Sequence, residues 1–307
     1  MENVKKTILI ISATGTQGRV ITKLLLEKGF SVRILVRNPD SASAQELIKA
    51  GAQPYKGDLA DPASLEAAVK GVYGVYSILP VDPEDNNLEL NGGKALVNAA
   101  MKAGVQQFAH SSVANVGEHE SFERWGAGYW NEKYWTTKWA IEEAVHNAGF
   151  PFWTILKPVY FMENLLPPVR DFLFPKMKEG KMFTALKADR KWQWVTVEDI
   201  AKFGYAAFND PERFNKQSIA LASDSLTLDE TSEILTRVLG KKIEYTSLSS
   251  EEALKTGLYP FMVRTLELYN TGAINKADFE KIKPYNIELT SFEQWLINHR
   301  DEFNDIL

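Results

Sequence analysis

Tyr134 and Lys138 stand four residues apart in Tyr-Trp-Thr-Thr-Lys. On a helix that spacing puts both side chains on one face, about one turn apart. An ammonium beside a phenol stabilises the phenolate and pulls its pKa down from about 10. Such a pair exchanges a proton near neutral pH, as a general acid must. Tyr129 and Lys133 share the spacing, so the pattern alone names two candidate pairs.

A second constellation lies near the N-terminus. Ser12-Ala13-Thr14-Gly15-Thr16-Gln17-Gly18 follows directly on the apolar run Thr7–Ile11. Val20, Ile21, Leu24 and Leu25 then recur at helical spacing up to Gly29, a C-terminal cap. Strand, glycine turn and helix form the context of a dinucleotide site. Gly15 lets backbone approach a pyrophosphate with no Cβ in the way, and Gly18 lets the helix pack close to the strand. The free N–H groups and positive end of the helix would face the phosphates. Ser12 occupies the place of the first glycine of that fingerprint; the alternative is a plain turn between strand and helix.

Arg37 follows the next strand, Ser31–Val36. An NAD site usually carries an acid at that strand end, for the ribose 2′-OH. An arginine there instead makes charge-assisted hydrogen bonds to a 2′-phosphate. NADP(H) is therefore expected over NAD(H), with a solvated surface arginine as the alternative.

These residues need a scaffold, and the hydrophobic pattern supplies one. Strands are expected at 7–11, 31–36, 53–56, 72–79, 106–111 and 152–157, alternating with helices at 42–50, 61–70, 87–103 and 131–148. The alternation predicts an α/β protein built on a doubly wound parallel sheet. Leu79 and Pro80 end the fourth strand at the sheet's carboxyl edge, where ligands of open α/β sheets sit, and would floor a ribose. Beyond Pro158 helices dominate, with isolated strands at 217–222 and 243–246. Thr227/Glu230 and Ser291/Gln294 have the spacing of capping boxes. The expected division is a cofactor domain over 1–157 and a smaller, mostly helical substrate-side region over 158–307, with 192–222 partly returning to the sheet.

The chain resembles the NmrA-like group of atypical short-chain dehydrogenases/reductases. The resemblance is carried by Ala13–Gly18, Val32–Pro39, Gly57-Asp58-Leu59, Tyr160–Leu166 and Phe292–Leu296, in the family's order. It implies a Rossmann fold, an NADP(H) cofactor, and a contact of Asp58-Leu59 with the adenine edge. It also implies that Tyr160 and Phe161 lie beside the nicotinamide. In the superfamily the tyrosine is the acid, the lysine lowers its pKa and holds the nicotinamide ribose, and a serine orients the substrate carbonyl. Ser112 is the matching serine. It precedes Tyr134 by 22 residues and Tyr129 by 17, and the longer separation fits the superfamily. Lys138 also leads into Trp139-Ala140-Ile141-Glu142, the family's pattern after its lysine. Tyr134 and Lys138 are therefore favoured. Asp199 is expected to be a helix-opening acid without a catalytic role.

Composition narrows the function. The chain has 307 residues, no Cys, four His and a net charge of −5, with 35 Lys and Arg scattered along it. That excludes disulfides and thiolate catalysis and gives no sign of a nucleic-acid surface. No membrane span, signal peptide or metal-ligand spacing is evident, so a cytoplasmic monomer or homodimer is expected. Phe122, Trp125, Tyr129, Trp130, Tyr134, Trp135 and Trp139 crowd one segment, either lining a pocket for a flat, apolar small molecule or packing a core. Two functions follow. One is an NADPH-dependent reductase of a carbonyl, quinone-like or conjugated substrate. The other is a non-enzymatic NADP(H)-binding redox sensor.

Overall fold

A computed structural model describes residues 6–81 and 86–306. The chain opens with β1 (Thr7–Ile10), α1 (Thr16–Glu27), β2 (Ser31–Val36), α2 (Ala42–Lys49), β3 (Gln53–Lys56), α3 (Pro62–Ala68) and β4 (Gly74–Ile78). It continues with α4 (Asn86–Lys102), β5 (Gln107–Ser111), α5 (Glu132–Asn147) and β6 (Phe152–Pro158). Each lies within three residues of the segment the pattern predicts. The local causes are visible. Ile8, Leu9 and Ile10 are wholly buried, as a strand covered on both faces must be. The Asp61 side chain accepts from Ala63 N and Pro62 takes the first turn, which starts α3. Gly29, at φ 87°, lets the chain leave α1.

The later chain holds β7 (Tyr160–Phe161), α6 (Val169–Leu173), β8 (Lys181–Thr184), β9 (Trp192–Val195), α7 (Val197–Asn209), α8 (Pro211–Phe214), β10 (Gln217–Leu221) and β11 (Asp224–Leu226). It ends with α9 (Leu228–Leu239), β12 (Glu244–Ser247), α10 (Ser250–Lys255), α11 (Pro260–Thr271), α12 (Phe279–Ile282) and α13 (Phe292–Asn298). Thr227 and Glu230 form a full capping box on α9. At α13 only half of one forms. Ser291 accepts from Gln294 N, while the Gln294 amide turns to Asn298.

The main sheet has seven strands in the order β10-β6-β5-β4-β1-β2-β3. Every pairing from β6 across to β3 is parallel. β1 lies between β2 and β4, so the winding reverses there and opens the crevice in which doubly wound folds bind ligands. Of residues 192–222, β10 joins this sheet, whereas β9 pairs with β7 and β11 in a three-stranded sheet. A parallel pair, β8 and β12, stands apart.

The chain forms two compact units. One takes the chain up to Val116, Lys133–Lys157 and Ile200–Ile219; the other takes Gly117–Glu132, Pro158–Asp199 and the chain from Ala220 on. In the first unit Leu9, Val75, Leu96, Phe108, Ile141 and Val145 share one apolar core. In the second, Met177, Trp194, Leu235, Phe292, Trp295 and Phe303 share another. Among the described residues no helix is long and apolar enough to cross a membrane.

Candidate functional site

The glycine turn comes first. Ser12 sits at φ 54°, the left-handed region that a glycine enters more easily, and Gly15 N donates to Ser12 O at 3.0 Å. The turn thus closes with serine in the first position. A Cβ on Gly18 would lie 2.2 Å from Ser12 O, so only glycine lets α1 pack this close to β1. A Cβ on Gly15 would meet only Ser12 O, at 3.3 Å, which leaves its outer side open. Gly15 caps α1 with no side-chain cap, and the first turn carries no acid. Its leading N–H groups lack intrahelical acceptors and carry the positive end of the helix. A pyrophosphate fits such a turn. Ala13 is buried, Thr14 half-buried, and Gly15 and Thr16 exposed.

Gln17 departs from expectation. Its side chain is buried and donates to Tyr76 Oη at 2.9 Å and Ser111 Oγ at 3.0 Å. It ties α1 to β4 and β5, so only its backbone is available to a cofactor.

The remaining expected contacts line the ends of the parallel strands. Arg37 follows β2, is exposed, and has no ion pair among the described residues. Asp58 accepts from Ala60 N at 2.9 Å, a loop-shaping bond that occupies one carboxylate oxygen. Leu59 is half-buried beneath α4, where a Cβ on Gly92 would lie 2.9 Å from Leu59 O. Leu79 is buried and Pro80 exposed.

The proton-transfer pair is on α5. Tyr134, Lys138 and Glu142 recur at four-residue intervals and so share one face. Tyr134 is half-buried, with Lys138 Nζ 5.0 Å from its ring centroid. Lys138 Nζ donates to Glu89 Oε1 at 2.8 Å, and both side chains are nearly out of water. Glu89 reaches α5 because α4 comes close. A Cβ on Gly93, one turn further along α4, would sit 2.7 Å from Leu79 and 3.1 Å from Ile141.

Lys138 acts on Tyr134 in the expected direction, but burial outweighs it. Burial raises the phenol's pKa above its ordinary value, the Lys138 ammonium opposes this, and the Glu89 carboxylate reinforces it. Lys138 is itself held above the ordinary lysine value. Burial pulls it down, but Tyr134, Glu89 and Glu142 together outweigh that. The spacing of Tyr and Lys was legible in the sequence; the counter-ion arriving from α4 was not.

Ser112 also differs from expectation. Its Oγ donates to Glu142 Oε1 at 2.5 Å, and Glu142 Oε2 lies 2.7 Å from Lys157 Nζ. Lys157 in turn donates to Val116 O at 2.9 Å. A hydroxyl has one proton, and here it is spent on Glu142. In this state Ser112 offers a substrate carbonyl no donor. Burial keeps the Glu142 carboxyl above its ordinary pKa although Lys157 and Ser112 both lower it. Beside these groups His110 is buried, with Nδ1 3.3 Å from Ser77 Oγ. Burial, then the Lys138 charge, holds His110 down to about 3, so it is neutral.

Glu89, Glu142 and Lys157 were missed in the sequence. Glu142 had a signal, since it extends the Tyr134–Lys138 series by one more turn. Glu89 had only an indirect one, the Gly92-Gly93 pair inside a helix. The competing Tyr129–Lys133 pair falls away because Tyr129 precedes α5. Its hydroxyl donates to Glu267 Oε2 at 2.8 Å, and its ring lies 4.8 Å from the Arg124 guanidinium.

In the second unit Tyr160 packs edge-on against Trp192 and Trp194, at 4.8 and 5.4 Å between centroids. Phe161 beside it is half-buried. Phe122 and Trp130 are buried, and Phe122 meets Trp125 edge-on, so these aromatics pack the 117–132 segment itself. Asp199 sits in the first turn of α7 and accepts from Ser223 Oγ, Thr290 N and Thr290 Oγ1. It clamps two loops.

The NmrA-like family matches residues 4–296. Among similar proteins is an NAD(P)H azoreductase of Xenophilus azovorans, 28% identical over 246 residues, covering 80% of this chain and 78% of that protein. Among solved structures is the NADPH-dependent quinone oxidoreductase of Escherichia coli complexed with NADPH. It has a TM-score of 0.75 and 22% identity, covering 95% of this chain and 99% of that one. Another is NmrA, a negative transcriptional regulator, in complex with NAD. Its TM-score is 0.73 at 20% identity, covering 95% of this chain and 94% of that one.

Proposed function

The chain belongs to the NmrA-like family, and from that premise we propose that it is an NADPH-dependent reductase of a small, flat, conjugated carbonyl compound such as a quinone. The observation that carries this is Tyr134, a protonated and half-buried phenol one helical turn from Lys138. The reduced cofactor, when bound, supplies a hydride. The first turn of α1 would hold its pyrophosphate and Arg37 its 2′-phosphate. Lys138 has three N–H donors. Glu89 takes one, which leaves two for ribose hydroxyls. Tyr134 would give its proton to the substrate oxygen. Asp58-Leu59 and Leu79-Pro80 would flank the adenine and ribose, and Tyr160 and Phe161 would lie toward the nicotinamide. The azoreductase and the quinone oxidoreductase support a flat, conjugated substrate by likeness.

One observation favours the second function, a non-enzymatic NADP(H)-binding regulator. Ser112 gives its proton to Glu142, which removes the expected carbonyl-orienting donor. The test is NADPH oxidation against a panel of quinones, azo dyes and conjugated enones. The reductase function predicts turnover on at least one of them. Tight NADPH binding with no turnover on any favours the regulator.

A further inference from the structure

An unpaired ammonium near a phenol favours the phenolate. Lys138 is not unpaired, because Glu89 holds it at 2.8 Å in a site that water barely reaches. In such a medium charges act strongly, so the phenol responds to the sum of its neighbours. Lys138 on α5 and Glu89 on α4 act on it directly, while Glu142 on α5, Lys157 on β6 and His110 on β5 lie beyond them in the same charge network. Lys138 is matched by Glu89 and Lys157 by Glu142, while His110 is neutral. The sum is close to zero, and Glu89 is the member that cancels the ammonium beside the ring.

We propose that Glu89 sets the working direction of the site, keeping Tyr134 a protonated phenol suited to giving a proton and ill suited to taking one from an alcohol. The proposal rests on the assignment of Tyr134 as proton donor. In the reductive step the substrate carbonyl carbon gains a hydride, with its two electrons, from the reduced nicotinamide, which is oxidised in the same step. The C=O π pair moves onto oxygen, oxygen takes the Tyr134 proton, and the phenolate regains a proton from water. Glu89 touches Lys138 and is a positioning residue. The close approach of α4 at Gly92 and Gly93 delivers it.

The test reads Tyr134 directly, without substrate or cofactor. 3-Fluorotyrosine is placed at position 134 and titrated by ¹⁹F NMR in the full chain. Glu89→Gln should lower the titration midpoint by about one pH unit or more, the effect of exposing the phenol to an unbalanced ammonium. Glu89→Asp, which keeps the charge, should restore the parent midpoint. The double variant Glu89→Gln/Lys138→Met removes both buried charges and spares the fold an unpaired ion. Its midpoint should stay near the parent value. An unmoved midpoint in folded Glu89→Gln overturns the proposal, as does a clearly higher one in the double variant. Quinone reduction by NADPH is followed in parallel, and the alkaline limb of its pH profile should move with the ¹⁹F midpoint. A shifted midpoint in a protein that reduces no quinone, azo dye or conjugated enone supports the role of Glu89 and sinks the reductase assignment instead.

Discussion

At the scale of single residues the site turns on how few protons and charges are uncommitted. Among the described residues Arg37 is exposed and without an ion pair at the expected cofactor rim. Arg37→Ala should lower the NADPH/NADH affinity ratio by roughly 10–100-fold, the worth of a charge-assisted contact. Calorimetry with both cofactors measures it, and an unchanged ratio removes Arg37 from the 2′-phosphate. Ser112 carries a different expectation. Its proton serves Glu142, so Ser112→Ala should cost about 1–3 kcal/mol of stability by leaving a buried carboxylate short of a donor. It should reduce turnover far less than loss of the acid does. Denaturant unfolding and quinone kinetics together decide that; a large turnover loss at parent stability would return Ser112 to the substrate. Tyr134, Lys138 and Ser112 were visible in the sequence because helical spacing and family likeness mark them. The charges around them were not, because Glu89 reaches Lys138 from α4 and Lys157 reaches Glu142 from β6.

At the scale of elements, the turn between β1 and α1 does the most. Two glycines three residues apart play separate parts there, and substitution should separate them. Gly15→Val should leave the fold intact and block NADPH binding, since the new side chain meets only Ser12 O, at 3.3 Å, and otherwise takes the space a pyrophosphate would enter. Gly18→Ala should damage the fold itself, since its Cβ would overlap Ser12 O. Circular dichroism with NADPH titration distinguishes the two, and normal NADPH affinity in folded Gly15→Val would remove the turn from the site. Most of the first six strands could be read because buried parallel strands are apolar runs between glycine and proline stops; β3, the largely exposed Gln53-Pro54-Tyr55-Lys56, is legible only from its place in the alternation. The later strands resisted. β7 is two residues long, and β9 lies in Trp192-Gln193-Trp194-Val195, whose pairing with β7 and β11 no local pattern announces.

At the scale of the whole molecule, stability should depend on pH through a buried cluster in the second unit. Glu163 accepts from Thr196 Oγ1 and Trp295 Nε1 with one oxygen, while the other is buried without a partner. Burial first, then the Glu198 carboxylate, pushes its pKa up to about 7. His299 is raised to about 9, chiefly by its bond to Glu198. Both groups hold protons more tightly folded than unfolded, so each contributes stability that is lost as pH rises. The Glu163 share should fade between about pH 4.5 and 7, and the His299 share between about pH 6.5 and 9. Glu163→Gln should flatten the first interval, by on the order of 2 kcal/mol in urea unfolding. An equally steep profile in that variant would assign the dependence elsewhere. The role of Tyr134 is read from NADPH affinity and quinone turnover of Tyr134→Phe beside the parent protein. Proton donation by Tyr134 predicts nearly unchanged NADPH affinity with turnover lowered about 10²–10⁴-fold. Turnover equal to the parent's would contradict it.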